Sequence, residues 1–319
     1  MMRVAILDDY QGVALGMADW PSLHPQAQIQ AFADHVDDLD TLAKRLHVFD
    51  AIVLMRERTP FPRALFERLP NLRLLITAGM RNASIDLAAA TERCVQVCGT
   101  DMLPHPTAEL TWGLILALLR HIPREDRASR EGRWQTTLGL GVKGKTLGLL
   151  GLGRLGGQVA KIGTAFGMEP IAWSQNLTAA RAAEAGVALV VKEALFARAD
   201  ILSIHLVLGP RTRGLVGAAE LARMKPTAFL VNTSRGPIVD EAALVAALAE
   251  RRITGAAIDV FEAEPVAKDH PLLRLGNTVI TPHLGYVTEE NYRLLYGQAV
   301  EDIRAFLDGK VLRGLNQLG

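Results

Sequence analysis

Arg235, Glu264 and His283 each follow a separate apolar run of strand length in the second half of the chain. Arg235 comes after 227–234, Glu262 and Glu264 after 256–261, and His283 after 277–282. Ligands of open α/β sheets bind outside the carboxyl ends of the strands, so an arginine, a carboxylate and an imidazole are expected at one crevice. A guanidinium is a permanent planar cation that grips a carboxylate through two parallel hydrogen bonds and polarises a neighbouring carbonyl. An imidazole takes or gives a proton near neutral pH. A carboxylate beside it, Glu264 in this reading, fixes the ring and favours its charged form. The set suits hydride transfer to or from a 2-hydroxy acid, with a nicotinamide carrying the hydride and the protein moving one proton. Singly, each residue has a plainer reading: a surface ion pair, a turn residue before Pro265, a loop histidine after Pro282. Their arrival at successive strand ends outweighs coincidence.

The element that would place a cofactor there is the stretch 144–168. An apolar run, 146–150, leads into Gly151, Gly153 and Gly156 in the spacing G-x-G-x-x-G, and Leu155, Val159, Ile162 and Phe166 then recur at helical spacing. In a strand–turn–helix, the first glycine permits the turn and the second lets a pyrophosphate approach the backbone. The third lets the helix pack closely, and the helix N-terminus holds the phosphates.

These elements sit in a chain of 319 residues and 34.6 kDa, long enough for two domains. A net charge of +1 with no charge runs gives no basic face for nucleic acid or a membrane surface. There is no signal-peptide pattern and no apolar run of the ~20 residues that span a bilayer. A soluble cytoplasmic protein is expected, with no metal site. Cys94 and Cys98 are expected to be buried reduced thiols.

Strands over 3–10, 50–55, 72–79 and 95–98, alternating with short helices from about 36, over 63–69 and over 86–91, imply βαβ units. Pro104 and Pro106 interrupt the pattern before a helix over 107–120. Its apolar residues point nearly all round, which predicts burial between two domains. A charged helix over 124–134 and a glycine-punctuated loop over 136–144 follow. Strands over 146–150, 169–174, 188–191, 200–207, 227–234, 256–261 and 277–283 then alternate with helices, the pattern of a doubly wound parallel sheet. A closing helix over 288–307 falls outside that pattern and is expected to return to the first domain. The fold class is therefore α/β, with two Rossmann-like domains. Residues 103–287 form the dinucleotide-binding domain, and 1–102 with 288–319 a smaller, flavodoxin-like substrate domain.

NTSRGPIVDE at 232–241, AAIDVFEAEP at 256–265 and TPHLG at 281–285, downstream of GLGRLG at 151–156, resemble the D-isomer-specific 2-hydroxyacid dehydrogenase family. That family includes glyoxylate/hydroxypyruvate reductases, D-lactate dehydrogenases and phosphoglycerate dehydrogenases. The resemblance implies catalytic roles for Arg235, Glu264 and His283, and places Asp259 near the nicotinamide carboxamide. It implies that Arg154, Leu155, His205, Thr233 and Gly285 line the cofactor; Thr212 and Ser234 join the same candidate set. It also implies a homodimer joined through the dinucleotide domains, with the loop 134–140 reaching toward the partner. Formate dehydrogenases share the fold but carry glutamine where Glu264 stands, which argues against that activity. An NAD(H)-sensing, corepressor-like binding protein would need peptide-docking segments that are not visible in the sequence.

The chain departs from the family at three places. The strand that should end in an acid for the adenosine ribose runs instead into Ser174, Gln175 and Asn176, all candidate cofactor contacts. With no carboxylate to repel a ribose phosphate, NADP is favoured over NAD on repulsion alone. Alternatively, Ser174 and Asn176 bond the ribose hydroxyls and both cofactors are accepted; Arg181 is the nearest arginine. Second, the substrate loop reads Gly79, Met80, Arg81, Asn82, with Arg81 in place of a second glycine. Gly79 and Met80 are expected to offer backbone N–H groups to a substrate carboxylate. One of Arg81, Arg56 and Arg58 is expected to favour a substrate with a second anionic group, against the equal prospect for each of an outward-facing surface arginine; Arg56 and Arg81 are the substrate candidates. Third, Tyr286 is expected either to wall the substrate pocket or to pack as a plain loop aromatic.

Overall fold

The computed structural model describes residues 1–318 and divides into two compact units, Met1–Leu103 with Val287–Gly319, and Pro104–Tyr286. The first unit is built on five parallel strands: β1 (Met2–Ile6), β2 (Ala27–Ala31), β3 (Ala51–Leu54), β4 (Leu74–Thr77) and β5 (Gln96–Gly99). Their order β2-β1-β3-β4-β5 is the flavodoxin-type arrangement. Every residue of β3 (AIVL) and β4 (LLIT) is buried, as a parallel sheet covered on both faces requires. Asp38 and Asp86 cap the helices Leu39–Leu46 and Leu87–Glu92 by accepting the N–H groups of Thr41 and Ala89. The helix Glu289–Leu307 belongs to this unit.

The pattern reading missed β2. Its sequence, AQIQA, alternates glutamine with small or apolar residues on a half-buried sheet edge and lacks the apolar run that marked the other strands. The opposite edge, β5, is covered by the chain's own tail. The N–H of Leu315 donates to Val97 O at 2.8 Å and that of Gly99 to Arg313 O at 3.0 Å. This pairing occupies backbone groups that an open edge would leave exposed.

The second unit holds seven parallel strands: β6 (Thr146–Leu150), β7 (Glu169–Trp173), β8 (Ala188–Leu189), β9 (Ile201–Ile204), β10 (Phe229–Asn232), β11 (Gly255–Ile258) and β12 (Thr278–Ile280). They run in the order β12-β11-β10-β9-β6-β7-β8. The order reverses between β6 and β9, which sets the switch point of a doubly wound sheet at the glycine turn. Several strands are shorter at their carboxyl ends than their apolar runs suggested; β9, for example, ends at Ile204 and β12 at Ile280. The chain has already left the sheet before the polar residues that follow.

The helix Pro106–Leu119 packs inside its own unit. Ala108, Trp112, Leu114, Ile115 and Leu118 share one core with Leu147, Leu149, Val159, Phe229, Val231 and Ala257. Core packing on the sheet thus accounts for apolar residues there without appeal to a second domain. The charged helix is shorter than its pattern, Ile122–Arg130, and ends at Gly132 with φ +76°. Cys98 is buried, and burial pushes its thiol up to about 12. Cys94 is exposed, against expectation. It sits in the turn just past the helix Leu87–Glu92 with φ +56°, where the chain reverses into β5 and the side chain has no interior to enter. Among the described residues no helix is long and apolar enough to cross a membrane.

Candidate active site

Each glycine of the turn after β6 is placed by a different constraint. Gly151 takes φ +105°, and a Cβ there would lie 2.6 Å from His205 O. A Cβ on Gly156 would lie 2.2 Å from Gly151 O, so the helix could not pack this closely with any larger residue. Gly153 is exposed and a Cβ on it would meet nothing within 4 Å. That space lies at the N-cap of the helix Arg154–Ala165, whose first-turn N–H groups receive no side-chain cap. Open backbone and unpaired donors together fit a pyrophosphate. Arg154 is exposed at the first helical position and Leu155 is half-buried beside it.

The neighbouring strand ends complete this edge. His205 follows β9; its Nε2 meets Ser203 Oγ at 2.9 Å, and burial pushes its imidazole down to about 4, so it is neutral at physiological pH. Thr212 closes the loop after β9, its Oγ1 donating to Val207 O at 2.7 Å and accepting from the Gly209 N–H. Ser234 donates to Leu206 O, and Thr233 pairs with Thr111 Oγ1 at 2.8 Å. Ser174 is half-buried after β7, and Gln175 and Asn176 are exposed. The turn 174–176 itself therefore presents only neutral polar side chains.

Arg235 stands directly after the turn at the end of β10. Asn232 shapes that turn: its Oδ1 accepts the Ser234 N–H and its Nδ2 donates to Arg235 O, each at 3.0 Å. The guanidinium Nη1 donates to Ser234 O at 2.7 Å. Gly236 then lies flat on the end of β11, where a Cβ would come within 2.0 Å of Phe261 C. This contact joins the arginine turn to the loop that carries Glu264. The requirement for glycine at 236 thus comes from the backbone that follows the neighbouring strand.

Glu264 Oε1 accepts the Phe261 N–H at 2.8 Å, and Oε2 meets His283 Nδ1 at 2.6 Å. Burial alone would push this carboxyl up, but the His283 hydrogen bond and charge, the Phe261 N–H and the Arg235 charge outweigh it and hold it below its ordinary value. Glu264 is therefore ionised, so Nδ1 carries the hydrogen of that bond and Nε2 is left for proton exchange. The Tyr286 ring, itself buried, meets the imidazole edge-on with centroids 5.4 Å apart. His283 adopts φ +54°, uncommon for a residue with a side chain. Its N–H donates to Asp259 O at 2.7 Å.

Asp259 explains how that backbone is held. It is fully buried, and its oxygens accept from Thr281 Oγ1 at 2.6 Å, Leu284 N at 2.7 Å and Gly285 N at 2.9 Å. Burial pushes its carboxyl up, while the Thr281 hydroxyl, these N–H groups and the His283 charge pull it down. Thr107 Oγ1 donates to Gly285 O at 2.8 Å from the start of the long helix. Asp259, Thr281 and Thr107 thus form a cradle for 281–285. Neither Thr107 nor Thr281 was a sequence candidate, because a lone threonine carries no spacing signal.

In the first unit, Gly79 follows β4 with φ +95°, and its N–H reaches Thr100 Oγ1 at 3.3 Å. A Cβ on Gly79 would sit 3.1 Å from Arg56 Nη1, so the Arg56 guanidinium lies against this loop. Asn82 Nδ2 donates to Arg56 O at 2.7 Å and holds the two segments together. Met80 and Arg81 are exposed. The structure therefore brings Arg56 to Gly79 and leaves Arg81 on the surface.

A family model described as D-isomer specific 2-hydroxyacid dehydrogenase, NAD binding domain, matches residues 112–285. The stretch contains the glycine turn, Arg235, Glu264 and His283. The chain belongs to the D-isomer specific 2-hydroxyacid dehydrogenase family. It is 41% identical over 283 residues to a glyoxylate reductase of Aeropyrum pernix, covering 85% of this chain and 84% of that one. A D-3-phosphoglycerate dehydrogenase of Methanocaldococcus jannaschii is 40% identical over 268 residues, or 82% of this chain and 50% of that protein, so this chain spans half of that longer relative. The solved structure of a phosphoglycerate oxidoreductase from Vibrio cholerae O395 superposes with TM-score 0.93 at 38% identity, over 97% of this chain and 100% of that one. The family supports a hydroxyacid dehydrogenase that uses a nicotinamide cofactor, NAD at least.

Proposed function

We propose that this dehydrogenase interconverts 2-keto acids and D-2-hydroxy acids, with Arg235, Glu264 and His283 as its reactive set. The observation that carries the reading is the 2.6 Å contact from His283 Nδ1 to a Glu264 carboxylate anchored by the Phe261 N–H. A bound reduced nicotinamide supplies the hydride. Arg235 holds the substrate carboxylate and polarises the adjacent carbonyl. His283 gives the proton on Nε2 to the carbonyl oxygen as it becomes an alkoxide, and Glu264 stabilises the imidazolium beforehand. Gly151, Gly153, Arg154, Leu155 and Gly156 hold the pyrophosphate side of the cofactor. His205, Thr212, Thr233, Ser234, Asp259 and Gly285 line or support the rest of its site.

The neutral turn Ser174–Gln175–Asn176 supports acceptance of NADP alongside NAD, since nothing in it repels a ribose phosphate. In the first unit, the Met80 N–H, and the Gly79 N–H on release from its long 3.3 Å bond to Thr100 Oγ1, would take a substrate carboxylate. Arg56, lying against Gly79, is the better placed arginine for a second anionic group than exposed Arg81. Tyr286 supports His283 from the side. We also propose a cytoplasmic homodimer through the Pro104–Tyr286 units, because Trp134 and Leu138 stand 81% and 91% exposed on the loop 134–140. The test is a panel of glyoxylate, hydroxypyruvate, pyruvate and a dicarboxylic 2-keto acid, each assayed with NADH and NADPH. Oxidation of either cofactor by at least one keto acid is expected; no turnover with any of them overturns the reading.

A further inference from the structure

Glu241 and His270 form a second histidine–carboxylate pair in the Pro104–Tyr286 unit, outside the reactive set. Glu241 is the first residue of the helix Glu241–Ala249, which Asp240 already caps through the Ala243 N–H, so the Glu241 side chain is not needed as a cap. Its two oxygens are spent elsewhere. Oε1 meets His270 Nε2 at 2.7 Å, and Oε2 accepts the Glu262 N–H at 3.2 Å. His270 is fixed in turn: its Nδ1 accepts the Leu272 N–H at 3.3 Å, and its ring meets Phe261 edge-on with centroids 5.7 Å apart.

The Glu241–Glu262 and His270–Phe261 contacts both land on the loop that follows β11. Phe261 supplies the N–H that anchors Glu264 Oε1, and its backbone is the surface on which Gly236 rests. Glu262, held by Glu241, lies between Phe261 and Glu264 in the chain. Asn232, Gly236, Glu241 and Val260 also line one water-sized cavity of about 10 Å³, so the Glu241 clamp and the Arg235 turn share a wall. Glu262 also carries an exposed ion pair with Arg213, at 3.1 Å, which solvent weakens.

We infer that Glu241 and His270 are positioning residues for catalysis: they fix the backbone of 261–262, and through it the reach of Glu264 to His283 and the seat of the Arg235 turn. The inference rests on the reductase reading above. A displacement of this loop by a fraction of an ångström lengthens the Glu264–His283 bond without touching the cofactor turn after β6, so proton transfer suffers and cofactor binding does not.

The experiment compares wild type with Glu241→Ala, Glu241→Gln and His270→Ala, using glyoxylate or whichever keto acid wild type turns over. Glu241→Ala is expected to lower kcat about tenfold while the NADH dissociation constant, read by fluorescence, stays within about twofold. The alkaline limb of its kcat/KM profile for keto-acid reduction should move to lower pH, because the imidazolium loses a firmly held carboxylate. The downfield proton resonance of the Nδ1–H···Oε2 bond, expected in wild type from the 2.6 Å contact, should weaken. Glu241→Gln keeps an acceptor for the Glu262 N–H and should recover most of kcat; His270→Ala should fall between the two. An unchanged profile and resonance in Glu241→Ala overturn the inference, as does a loss of NADH affinity in proportion to kcat, which marks general loosening of the unit. If wild type reduces no keto acid, the reductase reading fails and this inference fails with it; a working wild type with an indifferent Glu241→Ala sinks the inference alone.

Discussion

Two loops at the carboxyl edges of the two parallel sheets, the one around Glu264 and His283 and the one that follows Gly79, are held to different degrees. In the seven-stranded sheet the polar groups around Glu264 and His283 are tied to neighbours. Asp259 takes side-chain and backbone donors from 281–285, Asn232 ties the Arg235 turn from both sides, and Glu264 is held at both oxygens. Gly236 and Gly156 abut backbone so closely that no side chain fits. In the five-stranded sheet the corresponding loop leaves Met80 43% exposed and Arg81 at the surface, with Asn82 as its main tie. The difference follows from the work each edge would do. Hydride and proton transfer demand groups fixed to a fraction of an ångström, whereas selecting a side chain on the substrate needs only a wall of suitable shape and charge.

That contrast can be broken at the tight edge first. His283→Ala should lower kcat by about a thousandfold with NADH affinity intact, because proton transfer loses its only donor at that position. A loss below tenfold would place the acid elsewhere. Arg235→Lys keeps the charge but removes the planar fork, and kcat/KM for a keto acid should fall about a hundredfold; a variant equal to wild type would show that the arginine does not grip the carboxylate bidentately.

The glycine turn offers a finer separation of fold from function. Gly156→Ala must push Cβ against Gly151 O and should cost about 1–3 kcal/mol of stability, read as a lower Tm. Gly153→Ala meets no protein atom, so Tm should hold while the NADH dissociation constant rises about tenfold. Equal behaviour of the two variants contradicts the assignment of Gly153 to the phosphate. At the looser edge the effects should be smaller. Arg56→Ala is expected to change the kcat/KM ratio of a dicarboxylic keto acid to glyoxylate by about fivefold, and Arg81→Ala hardly at all; the reverse ranking would reassign the selecting arginine.

The smallest effect is on acid stability. Glu264 is held below its ordinary value in the folded chain, so it stabilises the fold above the unfolded carboxylate's pKa, and that contribution is lost as pH falls through the lower, folded value. Glu264→Gln should therefore flatten the decline of Tm in the acid range, and an unaltered decline would mean that the His283 contact does not persist in solution.

Much of this was legible in the residues. The alternation of apolar runs and helical spacing read out both parallel sheets, and G-x-G-x-x-G between a strand and a helix read out the turn. Arg235, Glu264 and His283 could be found because each follows an apolar strand, and strand ends are where open sheets bind ligands. The strand β2 was hidden because an edge strand needs only partial burial, and Cys94 was misread because residue type alone does not say which way a turn faces.

The sequence by itself determined which groups stand at the strand ends, since that depends on local periodicity and chain order. Tertiary structure alone decided how they are held. How Glu264 is anchored at both oxygens, why Gly236 tolerates no side chain, and that Glu241 and His270 grip the same loop all depend on segments distant in sequence. Hydrogen bonds and backbone contacts between such segments leave no periodic trace in the chain, because each requires only one suitable residue at one place.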